Sequence, residues 1–230
     1  NPHLCEMANE RHLQSDPERP YSLVLPYGLD YSGAKVLPSS EQQPYLRIAL
    51  KEGGEINTNL VGSYNADNVM AAIAVGMNFG VSFDDACAAI AAYVPSNNRS
   101  QMTATERNTL IVDAYNANPT SMDAALTNFA NVEAPVKIAL LGDMLELGEE
   151  SFAEHVTVIN KALASGLSTI CFVGAEFGKA LEDFPAADNV KWFANSQLLA
   201  DWLAEQNVSG ATVLVKGSRG TRMEKTIQAL

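Results

Sequence analysis

The chain has 230 residues, of which 47% are hydrophobic, and this is enough for one large domain or two small ones with a buried core. Its formal net charge of −12 argues against a general nucleic-acid or anionic-membrane surface, so an anionic ligand would need a local cluster of basic residues. Because the chain contains no run of about 18 apolar residues, we expect no membrane span.

The cysteines indicate a reducing compartment. Cys5, Cys87 and Cys171 lie far apart and share no metal-binding spacing with the three histidines. We therefore expect reduced structural thiols in a cytoplasmic protein. The chain begins at Asn1, with neither an initiator methionine nor a signal peptide, and we interpret it as part of a longer protein.

The first 60 residues have the least regular pattern. Prolines and tyrosines separate short segments of strand character at residues 22–25, 45–50 and 55–60. We predict a small, antiparallel β-rich region here.

Two helices follow this region. Asn65 is a candidate N-cap for the first helix and Gly80 a stop. Ser82 with Asp85 resembles a capping box for the second helix, which Pro95 ends. The faces predicted to be buried are Val69, Ala72, Ile73 and Gly76 on the first helix and Ala86, Ala89, Ile90 and Tyr93 on the second.

Residues 95–101, PSNNRSQ, have the composition of a connection between domains. They contain one cation, Arg99. From the residues alone, a solvated position in a linker is the simplest interpretation of Arg99.

From Ser100 onward, strands and helices alternate, which predicts an α/β fold with a doubly wound, mainly parallel (Rossmann-like) sheet. The predicted strands at 110–112, 136–141, 170–173 and 212–215 are continuously apolar, as expected for strands covered on both faces. We predict helices at 119–130, 151–164, 176–183, 196–206 and 223–230. For the second of these, the predicted buried stripe is Phe152, Val156, Ile159 and Leu163.

Polar residues follow three of the predicted strands. Asp113 and the loop at 115–118 follow the first, Asp143 follows the second, and Lys216 opens a glycine-containing loop after the fourth. The carboxyl ends of parallel strands meet at one edge of a sheet, where open α/β sheets bind ligands. We therefore expect these side chains to share one crevice.

The segment after the fourth strand is rich in cations. We predict an anion site from them, and the alternative is a solvated, basic start of a helix. The chain lacks GxGxxG after its first parallel strand, any GxxxxGK[ST] segment and a nucleophile elbow, which weighs against a dehydrogenase, an intact P-loop NTPase and an α/β-hydrolase. The cations are Lys216, Arg219, Arg222 and Lys225.

Five segments form a distinctive series along the chain: GSYNADNVMAA, PSNNRSQ, VDAYNANPTSM, LLGDMLELGEES and LVKGSRGTRMEK. Taken together in order and spacing, they resemble the Mur ligases of peptidoglycan synthesis. The resemblance implies that residues 1–99 are the C-terminal part of a central ATPase domain without its P-loop, and that residues 100–230 are the C-terminal domain.

The resemblance also implies roles for individual residues. Asn68 would contact the adenine of ATP, Arg99 its phosphates and Asp113 its ribose hydroxyls. No residue of this stretch is expected to be a nucleophile, and the ligands of Mg²⁺ are expected upstream. The remaining predicted site residues are Tyr115, Asn116 and Asn118, which would shape the crevice for ATP and the acceptor, and Asp143, Lys216, Ser218 and Arg219, which would face the substrates.

Two further positions bear on the resemblance. Tyr64 stands where family members often have histidine, which leaves the role of that histidine open in this chain. His155 falls where members often have a histidine, and we expect it to be structural and to lie beside the core stripe rather than on it.

Within the family, these blocks are similar to the members that join D-alanyl-D-alanine to a UDP-N-acetylmuramoyl tripeptide through an acyl phosphate formed with ATP. The expected partners are therefore these two substrates, with no nucleic acid. We expect the protein to be a monomer. The alternatives are a ligase of the same superfamily with another acceptor and a non-catalytic ligand-binding module, which the missing P-loop favours for this chain taken alone.

Overall fold

A computed structural model describes residue 6 and residues 26–40, 43–96 and 99–230. The predicted strand at 22–25 and Cys5 lie outside these residues. The described part contains a small antiparallel sheet followed by a larger, mainly parallel one. No helix within it is long and apolar enough to cross a membrane.

The small sheet has the order β1-β2-β3, and both of its pairings are antiparallel, as predicted. In β2, Leu46 and Ile48 alternate with more exposed residues and point into a core shared with the helices. The elements are α1 (Leu29–Ser32), β1 (Lys35–Val36), β2 (Tyr45–Ala49), β3 (Glu55–Val61), α2 (Ala66–Asn78) and α3 (Phe83–Ala92).

Of the two predicted helix caps in this region, the structure confirms one, that of α3. The Ser82 side chain accepts a hydrogen bond from the Asp85 backbone N–H, which confirms the cap of α3. Asn65 occupies the N-cap position of α2, but its side chain makes no capping bond. Its amide donates instead to the carbonyl of Val61, which ties the start of α2 to the end of β3.

The buried faces of α2 and α3 differ in part from the prediction. Met70 is buried on α2, whereas Ala72 is exposed. On α3, Ala86 packs in the core with the partly buried Cys87, and Tyr93 is exposed. Alanine occurs on every face of both helices, so the apolar period that would fix their orientation is blurred.

The large sheet has six strands in the order β4-β5-β9-β6-β7-β8, and all pairs are parallel except β4 with β5. This confirms the doubly wound fold. The strands are β4 (Gln101–Ala104), β5 (Thr109–Asp113), β6 (Lys137–Gly142), β7 (Thr169–Val173), β8 (Val190–Phe193) and β9 (Thr212–Lys216).

The sequence predicted the four central strands and missed the two at the edges. β5, β6, β7 and β9 are buried along nearly their whole length, as their continuous apolar runs indicated. β4 and β8 have four residues each and are largely unburied, so their composition is that of surface segments.

Helices cover both faces of this sheet. One face packs against α4 (Pro119–Ala130), α5 (Ser151–Leu163) and α6 (Ala175–Leu181), and the other against α7 (Ser196–Gln206) and the C-terminal segment. That segment, Met223–Ala229, is a 3₁₀ helix rather than the predicted α-helix. Its buried residues Met223 and Thr226 are three positions apart, which is the repeat of a 3₁₀ turn.

The buried stripe of α5 is offset from the predicted one. Phe152 and Leu163 are 46% and 41% exposed, whereas His155 is completely buried. The prediction that His155 lies beside the stripe is therefore wrong. A polar residue belongs on this face because the protein satisfies both ring nitrogens with hydrogen bonds. The residues buried on α5 are His155, Val158, Ile159 and Ala162.

Candidate functional site

Three strand-end loops meet at one edge of the large sheet, as predicted. β9 lies between β5 and β6, and all three run in the same direction. The register pairs Asp113 of β5 directly with Lys216 of β9. Asp143 follows the last residue of β6 at the same carboxyl edge, and its carbonyl accepts from the Ser218 N–H.

Asp113 and Lys216 form an ion pair inside this edge. The Lys216 ammonium lies 2.5 Å from Oδ2 of Asp113 and 3.5 Å from the carbonyl oxygen of Asn116. The lysine side chain is 1% exposed and the aspartate side chain 15% exposed. Of the four cations of the predicted anion site, Lys216 is buried and bonds within the protein, whereas Arg219, Arg222 and Lys225 are exposed. The anion site stays a prediction.

Ser100 holds the other oxygen of the Asp113 carboxylate. The backbone N–H of Ser100 donates to Oδ1 at 3.2 Å, and its hydroxyl lies 2.9 Å from the hydroxyl of Tyr64. Burial and the negative charge of Asp113 raise the pKa of Tyr64 from 10.0 to about 12, so this phenol is protonated at neutral pH. Ser100 is not among the predicted site residues, and its only signal in the sequence is its position after Arg99 in the linker.

Two arginines contact one aromatic ring at the surface of the site. The guanidinium carbon of Arg99 lies 3.7 Å from the centroid of the Tyr115 ring, and that of Arg219 lies 5.6 Å from it. All three side chains are exposed. Both distances are within the range of a cation–π interaction, so the linker and the β9 loop bring positive charge to the loop of Asp113.

The asparagines of the loop after β5 bond within the loop. The side chain of Asn118 accepts from the Ser121 N–H, and Ser121 reciprocates in a complete capping box at the start of α4. Pro119 occupies the first helical position, as predicted. The side chain of Asn116 accepts from the next backbone N–H, that of Ala117. These bonds fix the shape of the loop, and the predicted role of Asn116 and Asn118 at the nucleotide stays a prediction.

Ser218 connects all three loops. Its hydroxyl donates to the carbonyl of Ala117 in the first loop and accepts from the Leu145 N–H in the second. The residue is buried. Its predicted contact with substrate stays a prediction, and in this structure both hydrogen bonds of the hydroxyl are made within the protein.

The Asp143 carboxylate also makes its hydrogen bonds within the protein. Its two carboxylate oxygens accept from the backbone N–H groups of Glu176 and Phe177 at the start of α6, at 3.0 and 2.9 Å. Gly174, the residue just before α6, has φ +117°, and a Cβ there would lie 2.2 Å from the Asp143 carboxylate. The predicted substrate contact of Asp143 also stays a prediction, because the carboxylate faces a helix rather than open space.

His155 holds the loop after β6 through a hydrogen bond to its backbone. Its Nε2 accepts from the Met144 N–H at 3.1 Å and its Nδ1 donates to the Ser151 carbonyl at 2.6 Å. The ring contacts Phe177 edge to face, with centroids 4.6 Å apart. These partners fit the Nδ1–H tautomer and the structural role expected of this residue.

Asn68 lies in the first turn of α2. It is exposed, and its amide donates to Oδ1 of Asn65 at 3.3 Å. Its side chain is therefore accessible, and the adenine contact stays a prediction.

The described residues contain no group of three or more His, Cys, Asp or Glu side chains that could hold a metal ion. The two aspartates of the site bond to a lysine and to backbone N–H groups, so they do not fit a Mg²⁺ site. We assign no step to a metal bound by these residues.

A cleft of about 580 Å³ opens at the opposite edge of the sheet. Its lining includes Thr109 and Thr212, the first residues of β5 and β9, and Gly62 from the end of the small sheet. None of the converging side chains at the carboxyl edge lines it. We place the candidate site at the carboxyl edge because the paired charges and the stacked arginines lie there.

A family profile described as "Mur ligase, glutamate ligase domain" matches residues 98–219, more than half of the chain. The chain belongs to the Mur ligase family. The matched residues include all of the candidate site except Asn68 and Tyr64, so the family resemblance rests on the part of the chain where the loops converge.

A curated relative is the UDP-N-acetylmuramoyl-tripeptide–D-alanyl-D-alanine ligase of Treponema pallidum. It is 33% identical over 209 residues, which are 90% of this chain and 45% of the relative. The chain thus spans about half the length of the relatives that it matches.

Two solved structures show the same fold. MurF from Acinetobacter baumannii has a TM-score of 0.68 and 28% identity, over 85% of this chain and 43% of that one. MurF from Thermotoga maritima in complex with ADP has a TM-score of 0.69 and 17% identity, over 85% and 45%. At that lower identity the likeness shows the fold alone.

Proposed function

We propose that this Mur ligase chain is the C-terminal part of an ATP-dependent ligase that joins D-alanyl-D-alanine to a UDP-N-acetylmuramoyl tripeptide. The observation that carries the proposal is the convergence of Asp113 with the Arg99–Tyr115–Arg219 stack at the carboxyl edge of the sheet. The printed names of the relatives support the choice of substrates.

The domain division is part of this proposal. Residues 1–99 would complete a central ATPase domain that carries the P-loop and the Mg²⁺ ligands, and residues 100–230 would be the C-terminal domain. The start of the six-stranded sheet at Gln101 supports a boundary there. We propose that the whole protein is a cytoplasmic monomer.

The chemistry would be peptide-bond formation through an acyl phosphate. ATP phosphorylates the tripeptide carboxylate, and the amine of D-alanyl-D-alanine attacks the acyl carbon. The tetrahedral intermediate then releases phosphate. Because the nucleophiles belong to the substrates, this chain contributes positioning and charge.

The side chains of the site divide by what they can reach. Arg99 and Arg219 are exposed and would contact phosphate oxygens, for which a guanidinium provides two parallel donors. Asp113 would accept from the ribose hydroxyls and Asn68 would contact the adenine.

An acceptor screen on the complete protein tests this function. We expect phosphate release that requires both ATP and the tripeptide precursor and that occurs with D-alanyl-D-alanine. Release with single amino acids or glutamate instead would identify another ligase of the superfamily. No release with any acceptor would contradict the enzymatic proposal and favour a ligand-binding module.

Arg99→Ala in the same protein tests the site. We expect a higher KM for ATP or loss of turnover, whereas Arg107→Ala, an exposed arginine near the amino edge, should change neither. Unchanged kinetics for Arg99→Ala would remove the phosphate assignment.

A further inference from the structure

The two members of the buried ion pair differ in what they can reach. Lys216 is 1% exposed, and its ammonium is enclosed by the Asp113 carboxylate and the Asn116 carbonyl. Asp113 keeps 15% of its side chain exposed. A ligand at this edge can therefore contact the aspartate but has no direct approach to the lysine.

Asp113 is held from two sides. Lys216 donates to Oδ2, and the backbone N–H of Ser100 donates to Oδ1. Ser100 is itself constrained: it has φ +45°, a rare value for a residue with a side chain, and its hydroxyl bonds to that of Tyr64. With both oxygens bonded, the carboxylate cannot rotate about its χ2 angle without breaking a contact.

The pairing also fixes the loop. The same ammonium reaches the carbonyl of Asn116, three residues after Asp113, and Ser218 reaches that of Ala117. The β9 segment therefore holds the loop after β5 through two buried side chains, which is what a supporting element does rather than a substrate-contacting one.

We propose that Lys216 is a positioning residue, which fixes the Asp113 carboxylate for the nucleotide and does not itself contact phosphate or peptide. This inference rests on the proposed function, because it takes Asp113 as the nucleotide contact. It replaces the expectation that Lys216 faces the substrates.

A double-mutant cycle in the complete protein tests this inference. The variants are Lys216→Met, Asp113→Asn and the pair together, with Lys191→Met as the control because Lys191 is exposed on an edge strand. The KM values for ATP, tripeptide and D-alanyl-D-alanine, kcat and thermal unfolding are measured for each. ADP affinity is measured by calorimetry in the same variants.

We expect Lys216→Met to raise the KM for ATP about tenfold with kcat within about threefold, as removal of a charge-assisted contact to a binding group would. The KM values for the two peptide substrates should not change. In the Asp113→Asn background, Lys216→Met should have no further effect on ATP, because the carboxylate it positions is gone.

Additive effects on ATP, or a higher KM for either peptide substrate, would overturn the proposal and make Lys216 a substrate contact. Lys216→Met alone leaves a partly buried carboxylate without its cation and can fail to fold. The comparison of Asp113→Asn with the double variant then decides by the same criterion. If the unmodified complete protein shows no ligase turnover, the proposed function is contradicted. The ADP affinities of the variants still test the role of Lys216 in that case.

Discussion

At the residue scale, the exposed part of the site depends on Tyr115. Arg99 lies in the linker and Arg219 in the loop after β9, and their guanidinium groups are brought together by one ring. In a chain of net charge −12, two cations held against one aromatic ring create a local attraction for phosphate.

Tyr115→Ala should raise the KM for ATP of the complete protein about fivefold, since an exposed cation–π contact contributes about 1 kcal/mol. Tyr115→Phe keeps the ring and is the matched control. We expect it to behave as the wild type. Equal losses in both variants would show that the hydroxyl, and not the ring, is what matters.

Tyr64 gives the stability of the fold an alkaline dependence. Its folded-state pKa is about 12 against an ordinary value of 10.0. Between these values the unfolded chain has lost the proton and the folded chain keeps it, so the free energy of unfolding falls as pH rises. In Tyr64→Phe this contribution is absent.

Denaturant unfolding of this chain at pH values from 9 to 12 measures this loss of unfolding free energy, whose size is set by the difference between the two pKa values of Tyr64. We expect the difference in unfolding free energy between wild type and Tyr64→Phe to be constant below pH 10 and to shrink above it. A constant difference throughout would mean that the phenol is not perturbed.

At the element scale, α4 links the stability of the fold to the shape of the site. Asn118 ends the loop that follows Asp113 and contains Tyr115, and it caps α4 with a complete capping box. Asn195 is also an N-cap: its side chain accepts from two backbone N–H groups of α7, without a capping box, and it lies after the edge strand β8.

Asn118→Ala and Asn195→Ala should each lower the free energy of unfolding by about 1 kcal/mol, the usual cost of losing an N-cap. Only Asn118→Ala should also raise the KM for ATP, because only that cap shapes the site. A similar rise in Asn195→Ala would show that the kinetic effect follows general stability.

The sequence predicted the elements more fully than their contacts. Continuous apolar runs identified the four central strands, and the short edge strands β4 and β8 lacked that signal. The edge shared by Asp113, Asp143 and Lys216 follows from parallel topology. The hydrogen-bond and ion-pair partners of these residues could not be predicted in the same way. The pairing of Asp113 with Lys216 depends on β9 lying beside β5, a strand order that local sequence patterns do not encode.

At the scale of the whole molecule, the small sheet and the large one meet beside the site. Tyr64 bonds to Ser100, and Asn128 of α4 accepts from the backbone and hydroxyl of Ser63. The carboxylate of the candidate site is thus connected through Ser100 to the part of the chain that we assign to the ATPase domain.

This chain by itself should not hydrolyse ATP and should bind nucleotide weakly, because it has no GxxxxGK[ST] segment to hold the phosphates. Phosphate release and calorimetry with ATP measure both properties. Ligase turnover by these 230 residues alone would contradict our account.

The most direct test is a crystal structure of the complete protein with a non-hydrolysable ATP analogue. We expect the ribose within hydrogen-bond distance of Asp113 and the phosphates beside Arg99, with Lys216 still paired to the aspartate. A nucleotide bound in the cleft at the amino ends of β5 and β9, with the carboxyl edge empty, would contradict the account.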